Sequence, residues 1–249
     1  MPRANRHFLP GHAWHITQRC HDRAFLLNAG SDRTAWRQLL YQAQGHFGLS
    51  VLNYTVTSNH IHLLVYDAHG DDCISKSMQY ISGRLAQAYN RRRARTGAFW
   101  SDRYHAVAVE RDEYLLQCLT YIDLNMVRAG VVAHPREWRH CGYREIQSPR
   151  SRYRIIDLPR LLSLTSARDL SELQSILRER VTSALLEGKA RDDSWTTSLA
   201  VGSEHFVESV KSALGISARY RKILRNGQRF ELRETRVAYV QQNTSFFCI

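Results

Sequence analysis

The chain has 249 residues, and its 35 Lys and Arg against 23 Asp and Glu give a formal net charge of +12. Hydrophobic residues make up 43% of the chain and aromatic residues 10%, which excludes wholesale disorder. A positive charge of this size indicates a polyanionic partner, and nucleic acid is the first expectation. The alternative is a basic protein whose charge only keeps it in solution.

Cysteine usage and hydropathy narrow the class of protein further. The five cysteines are widely spaced and form no C-x-x-C pair, so neither a zinc ribbon nor a disulfide framework is indicated. A reduced, cytoplasmic setting is expected. The first residues lack the apolar core of a signal peptide, and no run of about 18 apolar residues predicts a membrane span.

Periodicity and capping residues predict strands and helices in chain order. Strands are predicted over 13–20, twice within 49–67 and over 104–110, and helices over 32–48, 74–95 and 112–130. This order predicts an α+β protein with a ferredoxin-like βαββαβ antiparallel sheet, helices on one face of the sheet and one extra C-terminal helix.

The pattern changes after residue 131. Surface connections are followed by helical patterns over 158–162, 171–187 and 203–215. We therefore expect one domain over residues 1–150 and a small, mostly helical appendage over residues 151–249. The basic segment Arg219-Tyr220-Arg221-Lys222 and Arg225 of the appendage would either add DNA contacts or block the site until DNA arrives.

A histidine pair lies in the third predicted strand. His60 and His62 are two residues apart, so their side chains point to the same face. Two imidazoles can hold one metal ion with an incomplete coordination sphere, which water or substrate completes in a catalytic site. Hydrogen-bonded strand histidines without a metal are the alternative.

The helix over 112–130 offers a nucleophile and a further ligand. Tyr121 and Asn125 are four apart and share a face, so a phenol and an amide oxygen would lie together. Tyr114 is a rival nucleophile, because it precedes Tyr121 by seven residues. A structural aromatic on an amphipathic helix is the alternative for either tyrosine.

Arginines cluster at two places that suit a DNA backbone. The candidate DNA-binding residues are Arg3, Arg6, Arg19 and Arg23 around the first strand, and Arg91, Arg92, Arg93 and Arg95 at the end of the second helix. The alternative for the second group is a solvated helix end, where positive charge complements the helix dipole.

Three segments in this order, NHIHLLV, GAFWSDRYHAV and DEYLLQCLTYIDLNMVRAG, resemble the REP-associated tyrosine transposases. These belong to the HUH superfamily of single-strand DNA transposases, and the HUH triplet here is His60-Ile61-His62. The resemblance covers about residues 1–145 and makes residues 1–150 the expected catalytic domain.

The resemblance implies a ferredoxin-like fold, a Mg²⁺ or Mn²⁺ ion and a nucleophile at Tyr121 that forms a 5′-phosphotyrosine link. It also implies a single-stranded or hairpin DNA partner, and a weak preference for a monomer over a homodimer. Asn125 falls where related enzymes place a polar residue that can complete the metal site. One departure is that Asn125 is followed by Met126, where the family usually has proline.

Two other functions stay open on the residues alone. The same fold could bind RNA or DNA without cutting, or a metal-dependent nuclease could use water while Tyr121 is only structural. Two histidines on the strand favour catalysis, and covalent capture of DNA would separate the transferase from both alternatives.

Overall fold

The computed structural model describes residues 8–68, 70, 72–188 and 192–234. Its strands are β1 His12–Arg19, β2 Ser50–Val56, β3 His60–Asp67, β4 His105–Val109, β5 Ala200–Gly202, β6 Arg221–Asn226 and β7 Arg229–Glu234. Its α-helices are α1 Gly30–Phe47, α2 Cys73–Arg92, α3 Glu113–Asp123, α4 Asn125–Arg128, α5 Tyr143–Gln147, α6 Leu158–Ser163, α7 Leu170–Glu187, α8 Ser194–Thr197 and α9 Glu204–Leu214. Within these ranges, no helix is both long and apolar enough to cross a membrane.

The strands form one sheet in the order β2-β3-β1-β4-β5-β7-β6. The first seven elements run β1-α1-β2-β3-α2-β4-α3, which is the order that the sequence predicts. β1 pairs antiparallel with β3 and β4, and β3 pairs antiparallel with β2. The mixed α+β class is thereby confirmed.

The two faces of the sheet carry different helices. α1 and α2 cover one face, where the Tyr54 ring packs against Trp36 and the Ser82 hydroxyl donates to Gln18. α3 lies on the other face, where the Thr55 hydroxyl donates to the backbone carbonyl of Ile122. Side chains alternate along a strand, so the α3 face receives every second residue of β1, β3 and β4.

The predicted helix over 112–130 is divided in the structure. α3 ends at Asp123 and α4 begins at Asn125, so Tyr121 and Asn125 lie on two consecutive helices rather than one. The division occurs at Leu124, and Met126 rather than a proline follows Asn125. Thr55 binds the carbonyl of Ile122 at this point, which satisfies a backbone acceptor at the end of α3.

The segment after residue 150 contains the predicted helices and also strands that the sequence does not predict. It supplies helices α6 to α9, but also β5, β6 and β7, which continue the same sheet. β5 pairs parallel with β4 and antiparallel with β7. β5 has only three residues, too few for a period-2 pattern, so sequence reasoning had no signal for the strand that joins the two parts.

Candidate active site

β3 presents the predicted histidine pair to the α3 face of the sheet. The ring centroids of His60 and His62 lie 4.9 Å apart. His62 is buried and His60 is half-buried. The strand period therefore brings the two imidazoles together as expected.

A chain of hydrogen bonds sets which ring nitrogen of His62 carries the proton. Its Nδ1 lies 2.9 Å from Nε2 of His15 on β1, and Nδ1 of His15 lies 2.9 Å from the backbone carbonyl oxygen of Trp195 on α8. A carbonyl only accepts, so His15 carries its proton on Nδ1 and accepts on Nε2. His62 therefore donates from Nδ1, and its Nε2 carries no proton.

Asn125 completes this chain. Its Nδ2 lies 2.8 Å from Nε2 of His62 and donates to it. Burial lowers the pKa of His15 to about 3 and holds the pKa of His62 well below its ordinary value, with the neighbouring His60 and His15 adding to the shift. Both rings are thus neutral at neutral pH, which agrees with the hydrogen-bond directions.

His60 is held in the same tautomer by a different route. The Asn59 amide donates to the backbone carbonyl of Arg23, so its Oδ1 faces Nδ1 of His60 at 2.7 Å. Nδ1 of His60 must then carry the proton, which leaves Nε2 unprotonated in the neutral ring. Both histidines of the pair therefore offer the nitrogen lone pair that a metal ligand needs.

The residues present fit a divalent cation as a partial set of ligands. Across the described ranges, no three or more His, Cys, Asp or Glu side chains group to hold a metal ion. The fit therefore depends on Nε2 of His60 and of His62 together with the Asn125 amide, whose oxygen faces a cation if the amide turns over. Water or substrate would supply the remaining ligands.

Tyr121 lies against the histidines. Its ring centroid is 5.6 Å from that of His62, 6.0 Å from that of His15 and 6.2 Å from that of Trp195. The Arg128 guanidinium carbon lies 4.4 Å from the centre of the Tyr121 ring. Tyr114 instead donates to the backbone carbonyl of Gln228, between β6 and β7.

A cavity of about 710 Å³ opens beside Tyr121. α3 and α7 form its walls, with Trp195 and Arg229 of the C-terminal segment. Ion pairs link Arg180 to Glu113 and Arg229 to Asp192, so the charges of this cavity are largely balanced. A substrate that reaches Tyr121 from this side meets walls that come partly from beyond residue 150.

The predicted DNA-binding arginines fall into three groups. Arg3 and Arg6 lie outside the described residues. Arg19 lies opposite His60 in the β1–β3 register, and Arg23 is exposed close to it in the chain.

Arg91, Arg92, Arg93 and Arg95 lie at the end of α2, whose face of the sheet is the one away from Tyr121. Arg92 forms an ion pair with buried Asp32, and Arg95 donates to Asn90 and to the Ala98 carbonyl. Part of this group therefore supports the local fold.

Three residues of the site escaped the sequence reasoning. His15 was not among the predicted site residues, although its place two strand positions before Thr17 puts it on the same face as the histidine pair. Trp195 carried no signal, because its distance from His15 along the chain hides their contact. Arg128 lies in the YIDLNMVRAG segment, so the motif itself was the signal that could have indicated it.

A family model matches the part of the chain that contains most of these residues. Residues 9–125, just under half of the chain, match the family model described as "Transposase IS200 like". This stretch contains His15, His60, His62, Tyr121 and Asn125, and the match confirms the resemblance predicted from the sequence.

Two solved structures are similar to the chain. The REP-associated tyrosine transposase bound to a REP hairpin has 20% sequence identity and a TM-score of 0.51, over 62% of this chain and 90% of that one. A Deinococcus radiodurans R1 protein proposed to be a transposase has 16% identity and a TM-score of 0.35, over 49% of this chain and 95% of that one. No curated protein matches the chain. The first likeness shows a shared fold.

Proposed function

We propose that this protein cleaves single-stranded DNA next to a hairpin and transfers the strand through a covalent link to Tyr121. The observation that carries the proposal is the packing of the Tyr121 ring against His62, whose unprotonated Nε2 faces Asn125. A candidate nucleophile thus lies beside a candidate cation site. The family match over residues 9–125 supports a transposase, and the similar structure holds a REP hairpin in its own complex.

The proposed fold of the catalytic part is ferredoxin-like, with α3 as the extra helix that carries the nucleophile. The strand order β2-β3-β1-β4 and the antiparallel pairings support it. In this arrangement β3 supplies the histidine pair from the sheet, while α3 and α4 bring Tyr121 and Asn125 to the same face.

A Mg²⁺ or Mn²⁺ ion is proposed as the cofactor, held by His60, His62 and Asn125. When bound, such an ion acts as a Lewis acid on the phosphoryl oxygens. The protein's own part is to place the ring proton on Nδ1 of each histidine, which the bonds to His15 and Asn59 do before any ion arrives, so that Nε2 is the nitrogen turned to a ligand role in the neutral rings.

The proposed reaction exchanges one ester for another. The Tyr121 phenolic oxygen attacks phosphorus, the bond from phosphorus to the 3′ oxygen breaks, and the 3′ oxygen takes up a proton as it leaves. The phenol loses its proton in the same exchange, and the Arg128 guanidinium over the ring favours the phenolate. Since the phosphodiester energy is kept in the tyrosyl ester, a second 3′ hydroxyl can reverse the attack and join a new strand.

The cation site is tested by His62→Ala, with His46→Ala as a matched control. His46 is exposed on α1, on the opposite face of the sheet. Each protein is incubated with hairpin DNA that carries a single-stranded extension, with and without Mn²⁺, and both cleavage and binding are measured.

We expect His62→Ala to bind the hairpin normally and to lose cleavage, while His46→Ala keeps both. Cleavage by His62→Ala at the wild-type rate and Mn²⁺ dependence would remove the proposed role of this pair. Hairpin binding without cleavage by the wild-type protein under all these conditions would favour a DNA-binding module instead.

A further inference from the structure

We propose that a basic cleft between β1, β4 and α8 binds the phosphodiester backbone of the DNA strand next to the linkage that Tyr121 attacks. This inference rests on the proposed function and adds a location to it. The cleft has a volume of about 360 Å³. Its lining residues are Thr17, Gln18, Arg19, Arg23, Ser101, Arg103, His105, Thr196 and Thr197.

The strand register places this cleft beside the histidine pair. Thr17 of β1 lies opposite both His62 of β3 and His105 of β4, so the three side chains form one row across the α3 face. Arg19 lies opposite His60 in the next row on the same face. A DNA strand held at His60 and His62 would therefore continue into the cleft within one or two positions along the sheet.

The lining has the chemistry of a phosphate site. It contains three arginines and one histidine, and no Asp or Glu belongs to it. Guanidinium groups match phosphate oxygens with paired N–H donors, and their charge makes binding independent of base identity.

The C-terminal segment forms the outer wall of the cleft. Thr196 and Thr197 belong to α8, and His105 lies 2.8 Å from the Ser198 carbonyl, which fastens that segment to β4. The hydroxyls of both threonines donate to the Asp193 carbonyl, so these residues shape the wall while the arginines supply the donors. The C-terminal segment thus helps to enclose the DNA strand in the cleft rather than only covering the site around Tyr121.

The first test compares Arg103→Ala with Arg111→Ala. Both arginines are exposed; Arg103 precedes β4 and Arg111 follows it, so each variant removes one exposed positive charge near an end of the same strand. Binding is measured over a range of salt concentrations for a hairpin with a single-stranded extension and for the same hairpin without it.

Arg103→Ala should weaken binding of the extended hairpin about tenfold and reduce the slope of log affinity against log salt by about 0.7, the value for one single-strand phosphate. It should leave the blunt hairpin unchanged, and Arg111→Ala should behave as wild type with both. Equal behaviour of the two variants on the extended hairpin would overturn the proposal.

The second test locates the contact with methylphosphonates, which replace one charged phosphate oxygen by a neutral methyl group. One linkage of the extension is modified at a time, and wild type is compared with Arg103→Ala. At the linkage in the cleft the two changes should not add, because either one removes the same contact. Additive losses at every linkage would overturn the proposal.

Failure of the cleft and failure of the chemistry give different results. Covalent capture of DNA together with unchanged binding by Arg103→Ala would leave the proposed function standing and remove the cleft. If Arg103→Ala lost binding to the single-stranded extension and the wild-type protein bound DNA but captured none covalently, the cleft would be supported and the tyrosine reaction contradicted.

Discussion

Single residues determine which ring nitrogen of His62 carries the proton. The Trp195 carbonyl can only accept, and this one fact sets the proton on His15 and then on His62. With the proton on Nδ1, Nε2 is the unprotonated nitrogen of the neutral His62 ring. His15 would act on the proposed cation site through His62, as a positioning residue.

Removal of His15 should therefore change metal dependence more than DNA binding. His15→Leu leaves Nδ1 of His62 without its acceptor, so we expect the Mn²⁺ concentration for half-maximal cleavage to rise roughly 10- to 100-fold. His140→Leu, which removes another buried histidine, serves as the control. An unchanged Mn²⁺ requirement in His15→Leu, or an equal rise in both variants, would contradict the positioning role.

His140 gives a prediction for stability against pH. Burial, with Arg33, Arg37 and Arg139 nearby, lowers the pKa of His140 to about 4. The unfolded chain takes up this proton below about pH 6.5 while the folded chain does not, so stability falls as pH drops from about 6.5 towards about 4.

The lost free energy of unfolding from this residue is at most about 3 kcal/mol. His140→Leu should make the free energy of unfolding vary less with pH between about 6.5 and 4, as measured by urea unfolding at a series of pH values. His15, whose pKa is lowered to about 3, keeps some slope in the variant. A curve as steep as that of wild type would show that His140 protonates freely in the folded state.

At the scale of elements, the position of α3 depends on the close approach of the Gly142 backbone to Asn53. A Cβ at Gly142 would overlap Oδ1 of Asn53, and the Asn53 amide donates to buried Asp123 at the end of α3. Gly142→Ala should thus destabilise the protein by about 1–3 kcal/mol.

Gly45→Ala is the matched control, since Gly45 lies inside α1 and a Cβ there meets nothing within 4 Å. That change should stabilise by about 0.5–1 kcal/mol, because alanine restricts the unfolded chain. Thermal unfolding of both variants measures the difference. A neutral or stabilising Gly142→Ala would show that Asn53 moves aside at no cost.

The elements also show how far the sequence leads. Period-2 and helical patterns predict β1 to β4 and α1 to α3, because each is long enough to show its buried face. The division at Leu124 escapes such patterns, since it depends on Thr55 of β2 binding a carbonyl from far along the chain. β5 escapes them because three residues contain no period.

Of the candidate site, the HUH triplet, Tyr121 and Asn125 follow from the sequence, and the structure brings them together. The choice of Tyr121 over Tyr114 came from the resemblance, because spacing alone places both tyrosines near one face. The contribution of Trp195 could not be predicted, since it depends on how the C-terminal segment packs against β1 and α3.

At the scale of the whole molecule, the sheet continues across the expected boundary near residue 150. β5 adds to the β4 edge, and Trp195 contacts both His15 and Tyr121. A catalytic domain over residues 1–150 remains a proposal, and these contacts indicate that it depends on the segment that follows.

A chain ended at residue 150 tests this dependence. It exposes the backbone groups of β4 as a new sheet edge and uncovers the α3 surface that packs against α7. We expect a melting midpoint lower by roughly 10 °C or more, and aggregation in size-exclusion chromatography. A monomeric fragment with the melting midpoint of the full chain would show that residues 1–150 fold independently.

The central claim is that Tyr121 forms a covalent bond with DNA, and one gel tests it most directly. Hairpin DNA labelled at its 3′ end is incubated with Mn²⁺ and with wild type, Tyr121→Phe or Tyr114→Phe, then resolved under denaturing conditions. We predict a protein-linked band with wild type and Tyr114→Phe, and none with Tyr121→Phe. A band that persists in Tyr121→Phe, or cleaved DNA with no protein-linked band in any lane, would contradict the account.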